Sequence, residues 1–234
     1  MNNKFLKILF FIVLSCMQSA FAELPKENEL VLCQDQAELF GNGKGDDHIT
    51  EKCIDQFKTM AVIQSSAVNK IKVYGYRNML LVERTTNGKA VTEILAGNNT
   101  ELHSIKTLAL DDKNQEIVVL EESGEILFFT SKISGNLAPF RILKNQEIAG
   151  ADEVVVDSDR DMIVVNNKKT KAILFFSRLA NIAGKKGKQN LNVVKAIDTS
   201  LMNFKNISID SSKGELHGND GSKSVAYDLK TLFK

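Results

Sequence analysis

The sequence predicts an all-β fold of about four repeated antiparallel sheets, preceded by a short helical segment, and three observations predict it. One pattern occurs twice in succession between Ile105 and Leu179, first as IKTLALDDKNQEIVVLEESGEILFF and then as DEVVVDSDRDMIVVNNKKTKAILFF. Each copy runs from an apolar triplet ending in Asp through a polar turn, a second apolar triplet and another polar turn to an apolar-aromatic run. The runs VVV, IVV and ILFF are too short for helices and rich in β-branched and aromatic residues, which marks them as strands. The connectors are only about four to six residues long. A parallel crossover needs at least roughly 10 to 12, so the strands pair as hairpins.

Aligned on the Asp, the copies share a spacing. Asp111 and Asp157 are followed six positions later by Ile117 and Ile163, and Asp210 by Leu216. A weaker match runs from Tyr74 to Leu80, without an Asp. These starting points lie 37, 46 and 53 residues apart, so four units fill 71 to 234. Strands that are apolar at consecutive positions are buried on both faces. Antiparallel sheets covered on both sides, one per about 40 to 50 residues, are the blades of a β-propeller, and four is the low end for a closed one.

The expected strands are 70–75, 78–84 and 89–96 in unit one, and 105–110, 116–120, 125–130 and 139–144 in unit two. Unit three has 152–156, 161–165, 171–178 and 191–197, and unit four has 205–209, 214–218 and 223–229. Unit four lacks an outer strand. Residues 58–64, KTMAVIQ, are expected to supply it, closing the ring so that no sheet edge is left open. The insertion 180–190, with GKKGKQ at its centre, is read as a solvated basic loop.

The two copies, with GNLAPFRIL at 135–143 between them, resemble bacterial NHL-type and YVTN-like propeller repeats. In those, an apolar-x-apolar-Asp inner strand precedes a turn, a second strand, and a third ending in an aromatic pair. The resemblance covers 105–179 well, 204–229 moderately and 71–104 poorly. It implies architecture alone, because such propellers serve many unrelated functions.

Residues 1–22 read as a secretory signal peptide. Lys4 and Lys7 are its basic start, ILFFIVL at 8–14 its apolar core, and Ala20-Phe21-Ala22 its cleavage site. The alternative is a degenerate lipobox, Leu14-Ser15-Cys16, with Cys16 lipidated. Losing two lysines moves the formal charge from +1 to −1, which gives no bulk attraction to nucleic acid or anionic membranes. No second apolar segment suggests a transmembrane span. A periplasmic or secreted protein, monomeric or a small oligomer, is the expectation.

Export to an oxidising compartment leaves Cys33 and Cys53, which are expected to pair as a structural disulfide. The segment between them, CQDQAELFGNGKGDDHITEKC, reads as two short helices around a glycine-rich turn, the second running through Gln56 after a cap at Asp46, Asp47 or Thr50. Together, 23–57 form a helical cap ahead of the repeats. The turn does not match an EF-hand, since Cys53 stands where the closing Glu belongs.

The candidate chemistry is thin. Asp111, Asp157 and Asp210 are read as structural, each capping the turn after its strand, with convergence as ligands the alternative. Asp157-Ser158-Asp159-Arg160-Asp161 opens like a calcium loop, but Met162 sits at the required Gly and Lys168 at the closing Glu. His48, His103 and His217 are far apart in sequence, and His217 reads as a tolerated strand residue. No nucleophile elbow, zinc-binding helix or phosphate loop is present, and no catalytic residue, metal ligand or cofactor is assigned.

The expected function is a non-enzymatic binding scaffold for a protein, peptide or glycan. Its expected contact rim is formed by the turns 84–89, 121–124, 166–171 and 219–223 with the loops leading into each inner strand. The residues placed on that rim are Arg84, Asn87, Glu121, Glu122, Asn166, Asn167, Lys168, Asn219 and Asp220. Two alternatives stand beside it. Propellers similar to the gluconolactonase family hydrolyse lactones with a channel metal held by Glu, Asn and Asp, a set absent at matching positions here. The other is a structural envelope protein assembling as an oligomer.

Overall fold

The computed structural model describes residues 51–132, 134–179, 188–190, 192–202 and 204–234. The expected signal peptide, the first part of the expected helical cap, Cys33 and the centre of the basic insertion lie outside the described residues. So does the expected disulfide, since Cys53 is placed only as a position on a helix. Among the described residues no helix is long and apolar enough to cross a membrane.

Helix α1 (Glu51–Met60) runs four residues past the expected end at Gln56, and the chain then enters four antiparallel sheets. The first holds β1 (Val62–Ser66), β2 (Ile71–Tyr76), β3 (Met79–Thr86) and β4 (Lys89–Leu95) in that order. The second holds β5 (Ile105–Asp111), β6 (Glu116–Glu121), β7 (Glu125–Thr130) and β8 (Arg141–Lys144). The third holds β9 (Glu153–Asp157), β10 (Met162–Asn167), β11 (Ala172–Ser177) and β13 (Val193–Asp198). Strand β12 (Lys188–Asn190), at the end of the insertion, instead crosses to the second sheet and pairs parallel with β8. The fourth holds β14 (Asn206–Asp210), β15 (Glu215–Asn219) and β16 (Ser224–Asp228), followed by a single helical turn, α2 (Leu229–Leu232).

The expected closure does not occur. Val62–Ser66 pairs antiparallel with β2, Val62 opposite Gly75 and Ser66 opposite Ile71, as the first strand of the first sheet. Residues 58–60 are helical. Among the described residues the fourth sheet therefore keeps three strands. The first strands β1, β5, β9 and β14 stand side by side in chain order, which is the propeller-like arrangement.

This shifts unit one by one strand, and the shift exposes a stricter repeat. Ser66 occupies the place of Asp111, Asp157 and Asp210. Its hydroxyl accepts the N–H of Asn69 at 3.0 Å, as Asp111 accepts Asn114, Asp157 accepts Arg160 and Asp210 accepts Lys213. Four residues after each cap the backbone turns left-handed, at Lys70, Gln115, Asp161 and Gly214. The carbonyl of that residue accepts an N–H just beyond or at the end of the third strand, from Thr85, Ser131, Arg178 and Leu229 respectively. A short polar side chain that bonds its own downstream backbone is what such a turn needs. Serine meets the need as aspartate does, so the pattern is hidden in unit one.

Three apolar layers fill the spaces between sheets. Val73, Leu80 and Leu95 meet Leu108, Val119 and Phe129, while Val118, Ile126 and Phe128 meet Val154, Val165 and Phe176. Val164, Ile173 and Phe175 meet Phe204, Ile207 and Leu216. The outward face of the first sheet, with Tyr74, Met79 and Leu81, is covered by Phe57 and Ile54 of α1. The fourth sheet ends the stack differently. Ile207, Ile209, Val225 and Tyr227 face the third sheet, whereas Ser208, Ala226 and Asp228 are exposed on the opposite face. Strict alternation of this kind is the signature of a sheet with one face in water. Unit four is thus not buried on both faces as expected, and among the described residues no apolar layer joins it to the first sheet.

Candidate functional site

Because the strands alternate in direction, connections fall on two ends of the stack. The turns 67–70, 112–115, 158–161 and 211–214 share one end, here the turn face, with the β3–β4, β7–β8 and β11–β13 connections. The other end, the loop face, gathers the turns 77–78, 122–124, 168–171 and 220–223. It also carries the connections into each new sheet, 96–104, 145–152 and 199–205.

Most of the expected rim lies on the loop face, but Arg84 and Asn87 do not. They belong to the β3–β4 end, on the turn face, because unit one was read one strand out of phase. The equivalent loop-face turn is Arg77-Asn78, where the carbonyl of Arg77 accepts the N–H of Ile105 at the start of β5. Arg84 pairs with Glu93 at 2.5 Å and lines a cleft between the first two sheets with Asn69 and Gln115.

The remaining rim residues divide by burial. Glu121, Asn166 and Asn167 are buried and fasten the turns to the connecting loops. Glu121 accepts the N–H groups of Ser104 at 2.6 Å and His103 at 3.3 Å. Asn166 donates to the carbonyl of Phe204 at 3.2 Å, and Asn167 donates to the carbonyl of Glu147 at 2.7 Å. The Asn167 carboxamide oxygen also accepts from Lys169 and Thr170, closing its own turn. Glu122 and Asn219 are exposed, while Lys168 and Asp220 are half-buried. Asp220 accepts the N–H groups of Ser222 and Lys223, and Asn219 that of Gly221. The loop face is therefore an ordered polar surface pinned from beneath.

Burial pushes the Glu121 carboxyl above the ordinary range, and its two backbone hydrogen bonds hold it partway back. Burial acts likewise on Glu153, whose carboxylate accepts the N–H of Ile207 at 2.8 Å. A raised folded pKa means that the folded protein holds this proton more tightly than the unfolded chain. The resulting stability is fully present below the unfolded value of about 4.3 and is lost as pH rises through the folded one. Wild type is therefore expected to gain stability relative to Glu121→Gln as pH falls from neutrality towards 4. Urea unfolding of both proteins at each end of that range measures it. A constant difference would contradict the assignment.

A cavity of this face lies between the third and fourth sheets, with a volume of about 390 Å³. Lys168 and Lys171 of the β10–β11 turn form one wall, and Thr199 to Met202 of the connecting loop form another. Buried Asn166 and Phe204 form its base. The loop is fixed by Thr199 N–H to the Lys171 carbonyl and Met202 N–H to the Thr199 carbonyl, both 2.8 Å. Leu201 is 95% exposed at the lip. Neither the cavity nor the weight carried by this loop was legible in the sequence, because Leu201 and Met202 read simply as part of a connector.

The other sequence candidates have local partners. Asp157 bonds Arg160, Asp159 pairs with Lys113, and Asp161 pairs with Arg178, so the calcium-like run is spent on ion pairs. Asp210 is held at a pKa of about 2 by the Ser212 hydroxyl and the Lys213 backbone. His217 faces outward on the fourth sheet, its Nε2 3.1 Å from Glu215. Among the described residues no group of three or more His, Cys, Asp and Glu side chains is placed to hold a metal ion.

No protein-family model and no curated protein matches the chain. Among solved structures, 745 chains match, so the architecture is common and cannot select a function by itself. One is apo AztD from Citrobacter koseri, with a TM-score of 0.51 and 15% identity over 74% of this chain and 44% of that one. Another is a chain of the Mitotic Checkpoint Complex, with a TM-score of 0.52 and 10% identity over 73% of this chain and 48% of that one. The chain spans less than half the length of either. At such identities the likeness is one of fold, and the chain is accordingly an all-β protein of propeller-like antiparallel sheets.

Proposed function

We propose that the protein is an exported, non-enzymatic scaffold that holds a protein or peptide ligand on its loop face. The observation that carries this reading is the pinning of that face. Buried Glu121, Asn166 and Asn167 lock the turns to the connecting loops and leave a preformed cavity with an exposed leucine at its lip. Loops on a rigid scaffold lose little conformational entropy on binding, which is what a recognition surface requires. The N-terminal segment 1–22, with its basic start, short apolar core and A-x-A site, supports export.

Photo-crosslinking in the producing cell tests both parts. A photoreactive amino acid is placed singly at Glu122, Lys169, Leu201 or Asp220 on the loop face. Lys113, Asp159 and Lys213 on the turn face serve as controls. The expected result is one discrete crosslinked partner from the loop-face positions, recovered with the exported fraction. Crosslinks of equal yield from both faces, or none from the loop face, would overturn the proposal.

A further inference from the structure

The cavity between the third and fourth sheets has a chemistry narrow enough to name its occupant. Its walls carry two ammonium groups, Lys168 and Lys171, and two hydroxyls, Thr199 and Ser200, and no carboxylate lines it among the described residues. Two carboxylates outside the lining, Glu153 and Asp198, feel the charges of Lys168 and Lys171 respectively. Neither carboxylate is free to fill the cavity. Glu153 is held by the N–H of Ile207, and Asp198 accepts the N–H of Ser200 at 2.7 Å. The lip is apolar. Leu201 stands almost wholly in water, in a domain where large side chains such as Phe175, Phe176 and Phe204 are buried, and Met202 lies next to it.

From this juxtaposition we infer that the cavity is a subsite for an acidic peptide segment. It seats a Glu or Asp carboxylate between Lys168 and Lys171 and the neighbouring apolar side chain against Leu201 and Met202. The size agrees, since about 390 Å³ admits one or two side chains but not a folded element. A carboxylate brings the negative charge that the lysines lack within the cavity, and its oxygens accept from the two ammonium groups. Leucine and methionine form an adaptable apolar surface for the adjacent residue. The inference rests on the scaffold reading above and gives it a ligand class.

The test uses the full mature chain and fluorescence polarisation of short labelled peptides. One alternates glutamate with leucine, one glutamine with leucine, and one lysine with leucine, with inorganic phosphate as a competitor. The glutamate peptide is expected to bind saturably and to weaken with added salt, and the glutamine and lysine peptides not to bind. The double variant Lys168→Gln/Lys171→Gln is expected to lower affinity about tenfold, and Leu201→Ser several-fold. These side chains are exposed or half-buried, so the variants keep the fold, which an unchanged melting temperature checks.

Equal binding of the glutamate and glutamine peptides would overturn the inference, as would binding that ignores the lysine pair. Phosphate binding through the same lysines without peptide binding would also overturn it, in favour of a free-oxyanion site. The two proposals fail separately. A loop-face crosslink that survives the Lys168→Gln/Lys171→Gln change would retain the scaffold and discard the acidic-peptide subsite.

Discussion

Replacing Arg178 by methionine is expected to destabilise the protein by about 3–5 kcal/mol, the cost of breaking a buried ion-pair cluster from one side. Arg178 is 5% exposed at the turn face, just beyond β11. Its guanidinium donates to both oxygens of Glu116 at 2.9 and 3.0 Å and to Asp161 at 2.7 Å, and it lies 3.5 Å from Asp111. It thereby ties the third sheet to the second. Asp161 is half in water and loses little when the arginine goes, so the cost falls on Asp111 and Glu116.

Asp111 keeps the N–H of Asn114 and the hydroxyl of Ser158, and Glu116 keeps Arg141 at 3.4 Å. Arg141 is itself stacked 3.8 Å over the ring of Phe128 and cannot move to fill the gap. Arg178→Lys is expected to recover only part of the loss, because a point charge cannot fork between two carboxylates. Urea unfolding at neutral pH gives the value. A loss below about 1 kcal/mol would mean that the cluster behaves as a hydrated surface network.

Phe204→Ala is expected to cost about 3–5 kcal/mol, and to reverse the effect of a second substitution. Phe204 is buried above the fourth sheet, edge-on to Tyr227 with ring centroids 6.4 Å apart. A Cβ added at Gly218 would lie 2.5 Å from its ring, so the glycine provides space rather than backbone freedom. In wild type, Gly218→Ala is expected to cost about 1–3 kcal/mol by overpacking. In the Phe204→Ala background the same change fills vacated space and is expected to be neutral or favourable. The double-mutant cycle measures this coupling, and strict additivity would show that ring and glycine do not press on each other. Phe204 also forms the base of the loop-face cavity, so the variant is expected to weaken the acidic peptide as well.

Strand placement was legible because short β-branched and aromatic runs bounded by polar turns have few alternatives. The fourteen strand segments expected within the four units correspond to β2–β11 and β13–β16, apart from small end shifts. Phase was not legible in unit one. The run at 58–64 that overlaps β1 reads as a strand of the fourth sheet, and Ser66 performs the capping for which aspartate was the marker. That one misassigned strand carried Arg84 and Asn87 to the wrong face. The alternation in ELHGN and SVAYD, by contrast, stood in the sequence and already marked the fourth sheet as half-solvated.

The sequence by itself determined the β class, the repeat, and the turn chemistry at Asp111, Asp157 and Asp210. All of these rest on interactions a few residues apart, so local spacing records them. Only the tertiary structure decided that the first sheet begins at Val62 and that the fourth keeps three strands among the described residues. It alone placed Glu121, Asn166 and Asn167 beneath the loop face and brought Lys168, Lys171 and Leu201 to one cavity. Those pairings join residues far apart in sequence, and their partners are mostly backbone atoms. A backbone N–H or carbonyl has no letter of its own in a sequence, so only the folded chain shows which side chain it meets.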